Sequence, residues 1–279
     1  MRYAIKAAPS MTTYAAVREV FRAADGIDLY ESAWVFDHLE PILSQPRSGP
    51  CLEGWTVLAA LAEATTRIRI GTMVTGVPYR HPAVLAKMAS TVDVMSSGRL
   101  ELGIGVGWNQ PEFDAYGMEL APLGERFDRF DEACEVIRSL FGPTPVTRPS
   151  PFFPLADAYC EPKPIQIGGP PIWIGGAGPK RTLRAVARYA DYWNAPFSFG
   201  PGFAETVEIL AGHCADIGRD PAEIVTTAQT PYDPTGGPAA MVDHCAALDE
   251  AGCQMVVIYL PETHHDAATV EAVADALRG

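Results

Sequence analysis

Eight times along the 279 residues a short apolar run gives way to an amphipathic stretch, and this alternation constrains the fold more than any single motif. The apolar runs are residues 3–7, 33–37, 68–73, 100–105, 172–174, 191–194, 224–228 and 255–259. Repeated β-then-α units require parallel strands joined by right-handed crossovers. Eight of them close most economically into an α/β fold of the (β/α)8 TIM-barrel type, with an open doubly wound sheet as the alternative. The clearest helix runs from about 122 to 141, where Phe127, Phe130, Cys134, Ile137 and Phe141 recur at steps of three and four and define one buried face. Proline marks the start of other helices, at His81-Pro82, Gly178-Pro179 and Asp220-Pro221, where a missing N–H costs nothing. Residues 142–171 break the rhythm. Their Pro- and Gly-rich sequence is too long for an ordinary connection and reads as an insertion after the fourth unit, expected to cover a pocket at the strand C-terminal ends. No linker interrupts the rest, so residues 1–279 are expected to form a single barrel domain.

The charge balance bears on partners. With 34 acidic against 21 basic residues, a net charge of −13 and no Lys/Arg cluster, neither nucleic acid nor an anionic membrane is a natural partner; a small molecule is. Six cysteines (Cys51, Cys134, Cys160, Cys214, Cys245 and Cys253) form no C-x-x-C pair and no zinc spacing, and read as reduced, mostly packed thiols with no metal. The opening MRYAIKAAPS lacks a signal-peptide core and no segment reaches 18 apolar residues, so a cytoplasmic protein is expected.

Three stretches carry the functional signal. In RLELGIGVGWNQPEFDAYG (99–117) the spacing Gly103-x-Gly105-x-Gly107 places the third glycine one position early for a dinucleotide fingerprint, which excludes a Rossmann turn. Gly103 can be explained by bulky neighbours inside a barrel, whereas Gly105 and Gly107 lie at the strand end, where backbone meets ligand. In PPIWIGGAGPKRTLRAVARYADYW (170–193), Gly175, Gly176, Ala177 and Gly178 follow a short strand and precede a helix, an arrangement whose free N–H groups form a nest for a phosphate ester. In the third, the strand running into Met73-Val74-Thr75-Gly76 is too irregular to continue in the sheet and reads as a bulge offering an apolar ridge to a flat ring.

Together, ESAWVFDH (31–38), the block 58–117, RFDRFDEACEVIRSLF (126–141) and the segment 162–194 resemble the luciferase-like monooxygenase superfamily, more closely its deazaflavin-dependent branch. The resemblance covers most of residues 1–195; beyond Pro196 only the strand–helix rhythm matches. It implies a barrel binding coenzyme F-420 or FMN at the strand C-termini. The flat ring would lean on the third-strand bulge, where a non-prolyl cis peptide is implied at Val74–Thr75. The phosphate would meet N–H groups of Gly107 and Trp108 and of Gly176, Ala177 and Gly178. Asp37 and His38 would approach the ring's polar edge, and a homodimer is implied. The Val-Phe-Asp-His turn, the bulge and the GVGW sequence favour F-420 over FMN.

A deazaflavin moves a hydride, and the chain must hold the substrate and manage a proton. His38 is the catalytic candidate, since an imidazole titrates near neutrality and this one directly follows a strand. Glu112, in the first turn of the next helix, reads instead as a favourable helix-start carboxylate. His81 precedes Pro82 in a loop, while His213, His244, His264 and His265 are expected to be solvated. Two departures bear on substrate. Similar sugar-phosphate dehydrogenases carry a glutamate where this chain has Trp108, and a tryptophan where it has Ile42. Sugar-phosphate oxidation is therefore disfavoured, and Trp108 suggests an apolar or aromatic substrate wall. The expected function is an F-420-dependent oxidoreductase, with an FMN-dependent monooxygenase and a non-catalytic cofactor-binding barrel as alternatives.

Overall fold

In the first strand, β1 (Arg2–Ala7), side chains alternate in destination. Ala4 packs with Trp34, Met73, Trp173, Met255 and Val257 inside the sheet's curve, while Ile5 and Ala7 pack outward against helices. The same alternation governs the other strands of the computed structural model, which describes residues 1–196 and 202–279. The elements follow as α1 (Tyr14–Asp25), β2 (Tyr30–Val35), α2 (Gly54–Ala64), β3 (Arg69–Gly76), α3 (Pro82–Met95), β4 (Leu100–Gly105), α4 (Gln110–Ala115), α5 (Leu123–Phe141), β5 (Val146–Arg148), β6 (Leu155–Ala158), β7 (Ile172–Gly175), α6 (Thr182–Tyr189), β8 (Tyr192–Ala195), α7 (Phe203–Asp216), β9 (Val225–Pro231), α8 (Gly237–Glu250), β10 (Met255–Leu260) and α9 (Ala267–Arg278). Eight parallel strands close in the order β1-β10-β9-β8-β7-β4-β3-β2, so the sheet is a closed barrel and not an open one. Each of the eight expected runs overlaps one barrel strand. The second starts earlier than expected, at Tyr30, because charged Glu31 occupies a strand position paired with Arg2.

The helix read at 122–141 is α5, and its five expected apolar residues are all buried. Of the proline starts, Pro82 opens α3. Pro179 instead lies in a turn before α6, and Pro221 opens only a three-residue 3-10 turn, since a proline fixes a local φ without propagating a helix.

The insertion follows the fourth unit, as expected, but does not cover the pocket. Residues 142–171 connect α5 to β7, and a helix-to-strand connection returns to the N-terminal end of the barrel. There the Gln166 amide donates to Asp93 and to the Leu100 carbonyl, both at 2.7 Å, and accepts from Arg69, all near the starts of β3 and β4. None of its residues lines the cavity at the opposite end. The cavity mouth is shaped instead by residues 36–53, between β2 and α2.

Candidate active site

A cavity of about 710 Å³ opens at the C-terminal ends of the strands. One wall is the β3 bulge. Thr72 pairs with Leu102 and Thr75 with Ile104, so β3 spends one more residue than β4 between the two pairs, and the excess pushes Val74 into the cavity. The cis peptide bond is Met73–Val74, one position before the expected Val74–Thr75, because it falls at the centre of that extra residue. Thr75 lies behind the wall, where its Oγ1 accepts from Trp55 Nε1 at 2.9 Å and pairs with the Thr72 hydroxyl at 2.8 Å.

The glycines accommodate this bulge. A Cβ on Gly103 would stand 2.0 Å from the Thr72 carbonyl oxygen, and one on Gly105 would stand 2.8 Å from Val74 Cγ2; at Gly175 it would meet Val74 Cγ1 at 3.3 Å. Steric clearance therefore explains Gly105 as well as Gly103. Gly107 is different: its φ of 77° is left-handed, and it turns the chain off the end of β4 toward Trp108. Gly105, Gly107, Trp108, Gly175 and Gly176 all line the cavity. The Gly176 N–H is already donated to the Asn194 carbonyl at 3.0 Å. Among the described residues the N–H groups of Gly107, Trp108, Ala177 and Gly178 have no acceptor, one fewer than the sequence suggested, and of these four residues Gly107 and Trp108 line the cavity.

The opposite wall carries His38. Its Nδ1 lies 2.9 Å from Glu112 Oε2, and Tyr79 donates its hydroxyl to the same oxygen at 2.5 Å. The other oxygen of Glu112 accepts the Leu39 N–H at 2.5 Å. Glu112 does start α4, but it is fully buried and turned back onto the residues after β2, which corrects its reading as a plain helix-start carboxylate. Burial opposes its charge, yet the hydrogen bonds from His38, Tyr79 and the Leu39 N–H prevail and hold its carboxyl down at about 2. With Nδ1 held against the ionised Glu112, Nε2 is the imidazole nitrogen not engaged by that carboxylate. Trp108 crosses the imidazole edge-on, ring centres 5.6 Å apart.

Asp37 does not line the cavity. It is buried behind His38 and clamped by both terminal nitrogens of Arg80, with Nη2 to Oδ1 at 3.0 Å. Consecutive strand-end residues point to opposite sides, so His38 and Asp37 cannot both face one ligand. Ala177 and Gly178 likewise stand back from the lining side chains. Ile42 does line it. Of the remaining histidines, His265 is buried rather than solvated, because it folds under the end of β10, with its ring near Thr12 Oγ1 at 3.2 Å and the Leu260 carbonyl at 3.3 Å. His81 and His244 are exposed; His213 and His264 are half-buried.

The sequence reading missed the floor. Lys6 on β1, Asn194 on β8, Gln229 on β9 and Tyr259 on β10 close the inner end of the cavity. The Lys6 ammonium donates to Gln229 Oε1 at 2.8 Å and sits 5.1 Å from the Tyr259 ring centre. Burial alone pulls it down to about 7. The available signal was a lysine two residues after Ala4, on the face of a strand that points into a barrel. Among the described residues no cluster of three or more His, Cys, Asp or Glu could hold a metal, and no helix is long and apolar enough to cross a membrane. Cys51 is partly exposed and the other five cysteines are buried.

The luciferase-like monooxygenase family model matches residues 3–248. The chain belongs to this family. Among curated luciferase-like relatives, a phthiodiolone/phenolphthiodiolone dimycocerosates ketoreductase of Mycobacterium sp. (strain JLS) is 35% identical over 219 residues, covering 71% of this chain and 56% of that protein. The chain thus spans little more than half the length of that relative. Solved structures superpose on this barrel. An F-420-dependent secondary alcohol dehydrogenase in complex with an F-420–acetone adduct superposes with a TM-score of 0.85 at 19% identity, covering 100% of both chains. A riboflavin lyase with modified FMN and riboflavin superposes with a TM-score of 0.82 at 14% identity, covering 100% of this chain and 91% of the other.

Proposed function

We propose that this chain is an oxidoreductase that passes a hydride between coenzyme F-420 and a small, largely apolar organic substrate. The observation that carries the reading is the meeting, in one cavity, of the Val74 ridge, the N–H groups of Gly107 and Trp108, which have no acceptor among the described residues, and a carboxylate-held imidazole. When bound, F-420 supplies hydride chemistry at its ring. Val74 gives that ring an apolar rest, and Gly107, Trp108, Ala177 and Gly178 offer N–H groups to its phosphate. His38, steadied through Nδ1 by Glu112 and Tyr79, exchanges a proton with the substrate through Nε2. Phe36 and Ile42 make the same wall apolar. A homodimer remains part of the proposal on resemblance alone.

The dehydrogenase with the F-420–acetone adduct, alike over its full length, supports this coenzyme; the riboflavin lyase with modified FMN favours the second reading, an FMN-dependent monooxygenase. Titrating the purified protein with each coenzyme, followed by tryptophan fluorescence, separates them. Micromolar F-420 binding is expected; FMN binding without F-420 binding would replace the first reading by the second.

A further inference from the structure

The floor of the cavity holds a cation with no anion among the described residues. Among the described residues Lys6 Nζ has one hydrogen-bond acceptor, Gln229 Oε1, and that amide is locked in orientation. Its Nε2 donates to Asn194 Oδ1 at 2.7 Å, Asn194 Nδ2 donates to Thr227 Oγ1 at 2.8 Å, and the Thr227 hydroxyl donates to the Trp193 carbonyl at 2.9 Å. The relay points oxygen at Lys6 and leaves the ammonium at least one N–H directed elsewhere, even with the Tyr259 ring beside it. Among the described residues no carboxylate pairs with Lys6, in a chain with 34 acidic residues. The other charged or titratable groups on the lining are His38 on the far wall, Glu262 just past β10, and the phenols of Tyr79, Tyr232 and Tyr259. A buried, unpaired cation is costly, and a ligand's negative charge is what its surroundings fail to supply.

We propose that Lys6 is the anchor for an anionic oxygen of the substrate, which is a small organic acid whose apolar body lies along Phe36 and Ile42. The substrate then enters carboxylate-first, its far end toward the mouth. The assignment deepens the oxidoreductase reading by naming a substrate class, but the cation and the cavity exist whichever coenzyme binds. Anion binding requires the charged form of Lys6, so affinity for an acid is full below pH 7 and falls about tenfold per pH unit above it.

The test compares 3-phenylpropionate with 3-phenylpropionamide by titration calorimetry on the purified protein. At pH 6 the acid is expected to bind at least tenfold more tightly than the amide, and the advantage to vanish by pH 9. In Lys6→Met acid and amide bind alike, and the variant melts no lower than the parent, since a buried unpaired charge has gone. In Lys6→Arg the preference persists to pH 9. Equal binding of acid and amide to the parent, a preference that survives Lys6→Met, or a pH dependence that survives Lys6→Arg, overturns the proposal. Repeating the titration after loading with F-420 or FMN, whichever binds, separates substrate from coenzyme. Retained acid binding supports a substrate anchor, and abolished binding means that Lys6 faces the coenzyme and overturns it. If neither coenzyme binds, the oxidoreductase reading fails while the coenzyme-free titration still decides the anchor.

Discussion

His38 and Glu112 stand 74 residues apart in the sequence and 2.9 Å apart at the cavity wall, imidazole Nδ1 to carboxylate Oε2. The contact fixes the orientation of the ring. His38→Ala is expected to lower turnover by roughly 100-fold or to weaken coenzyme binding comparably, and to cost about 1–3 kcal/mol of stability because buried Glu112 loses a hydrogen-bond donor. Steady-state kinetics and a coenzyme titration on the same preparation check this; unchanged values in both remove His38 from the chemistry.

Glu112→Gln keeps the shape and removes the charge. His38 then loses its ionised acceptor, and a buried network built around a carboxylate is left imperfectly satisfied, at a cost of about 1–3 kcal/mol. The expected signature is a fall in kcat with an altered pH–rate profile, beyond what the stability loss explains. A variant with normal kinetics and lower stability would make Glu112 purely structural.

The same carboxyl sets a pH window. Its folded value of about 2 lies below its ordinary 4.5, so its contribution to stability is fully present above pH 4.5 and is lost as pH falls through 2. Urea denaturation between pH 6 and 2 should therefore show a steeper acid loss for the parent than for Glu112→Gln. Parallel curves would mean that the carboxyl titrates normally.

Gly105→Ala places a methyl group 2.8 Å from Val74 Cγ2 and is expected to cost about 1–3 kcal/mol and to weaken coenzyme binding. The double variant Gly105→Ala, Val74→Ala should recover part of the stability, so the two changes are non-additive. Thermal melts of the four proteins decide it, and strict additivity would show that the two positions do not touch.

The barrel was legible because each of its strands is a short local pattern, and eight repeats of it leave few closures. His38 was legible as a titratable residue at a strand end. Glu112 was readable as a helix start but not as its partner, because nothing in the spacing of two residues so far apart says that α4 folds back over the turn after β2. The cis bond was misplaced by one residue because the pattern announces a bulge while the hydrogen-bond register decides where the extra residue sits. The insertion is a different case. Its position after the fifth helix already implied the N-terminal end of the barrel, so the signal was in the chain and only its parity was overlooked. Lys6 hid as one charged residue in an apolar strand, visible only once the strand's inner face was known.

One isopropyl group at Val74 and the missing methyl groups at Gly103, Gly105 and Gly175 amount to a single inherited character written at four positions. A drifting chain cannot change one without passing through a worse-fitting form. Ile42 and Leu43, on the long connection facing it, stand against no glycine in this way among the described residues. Descendants of this barrel should therefore diverge in what they accept on one side while keeping the other side nearly fossil.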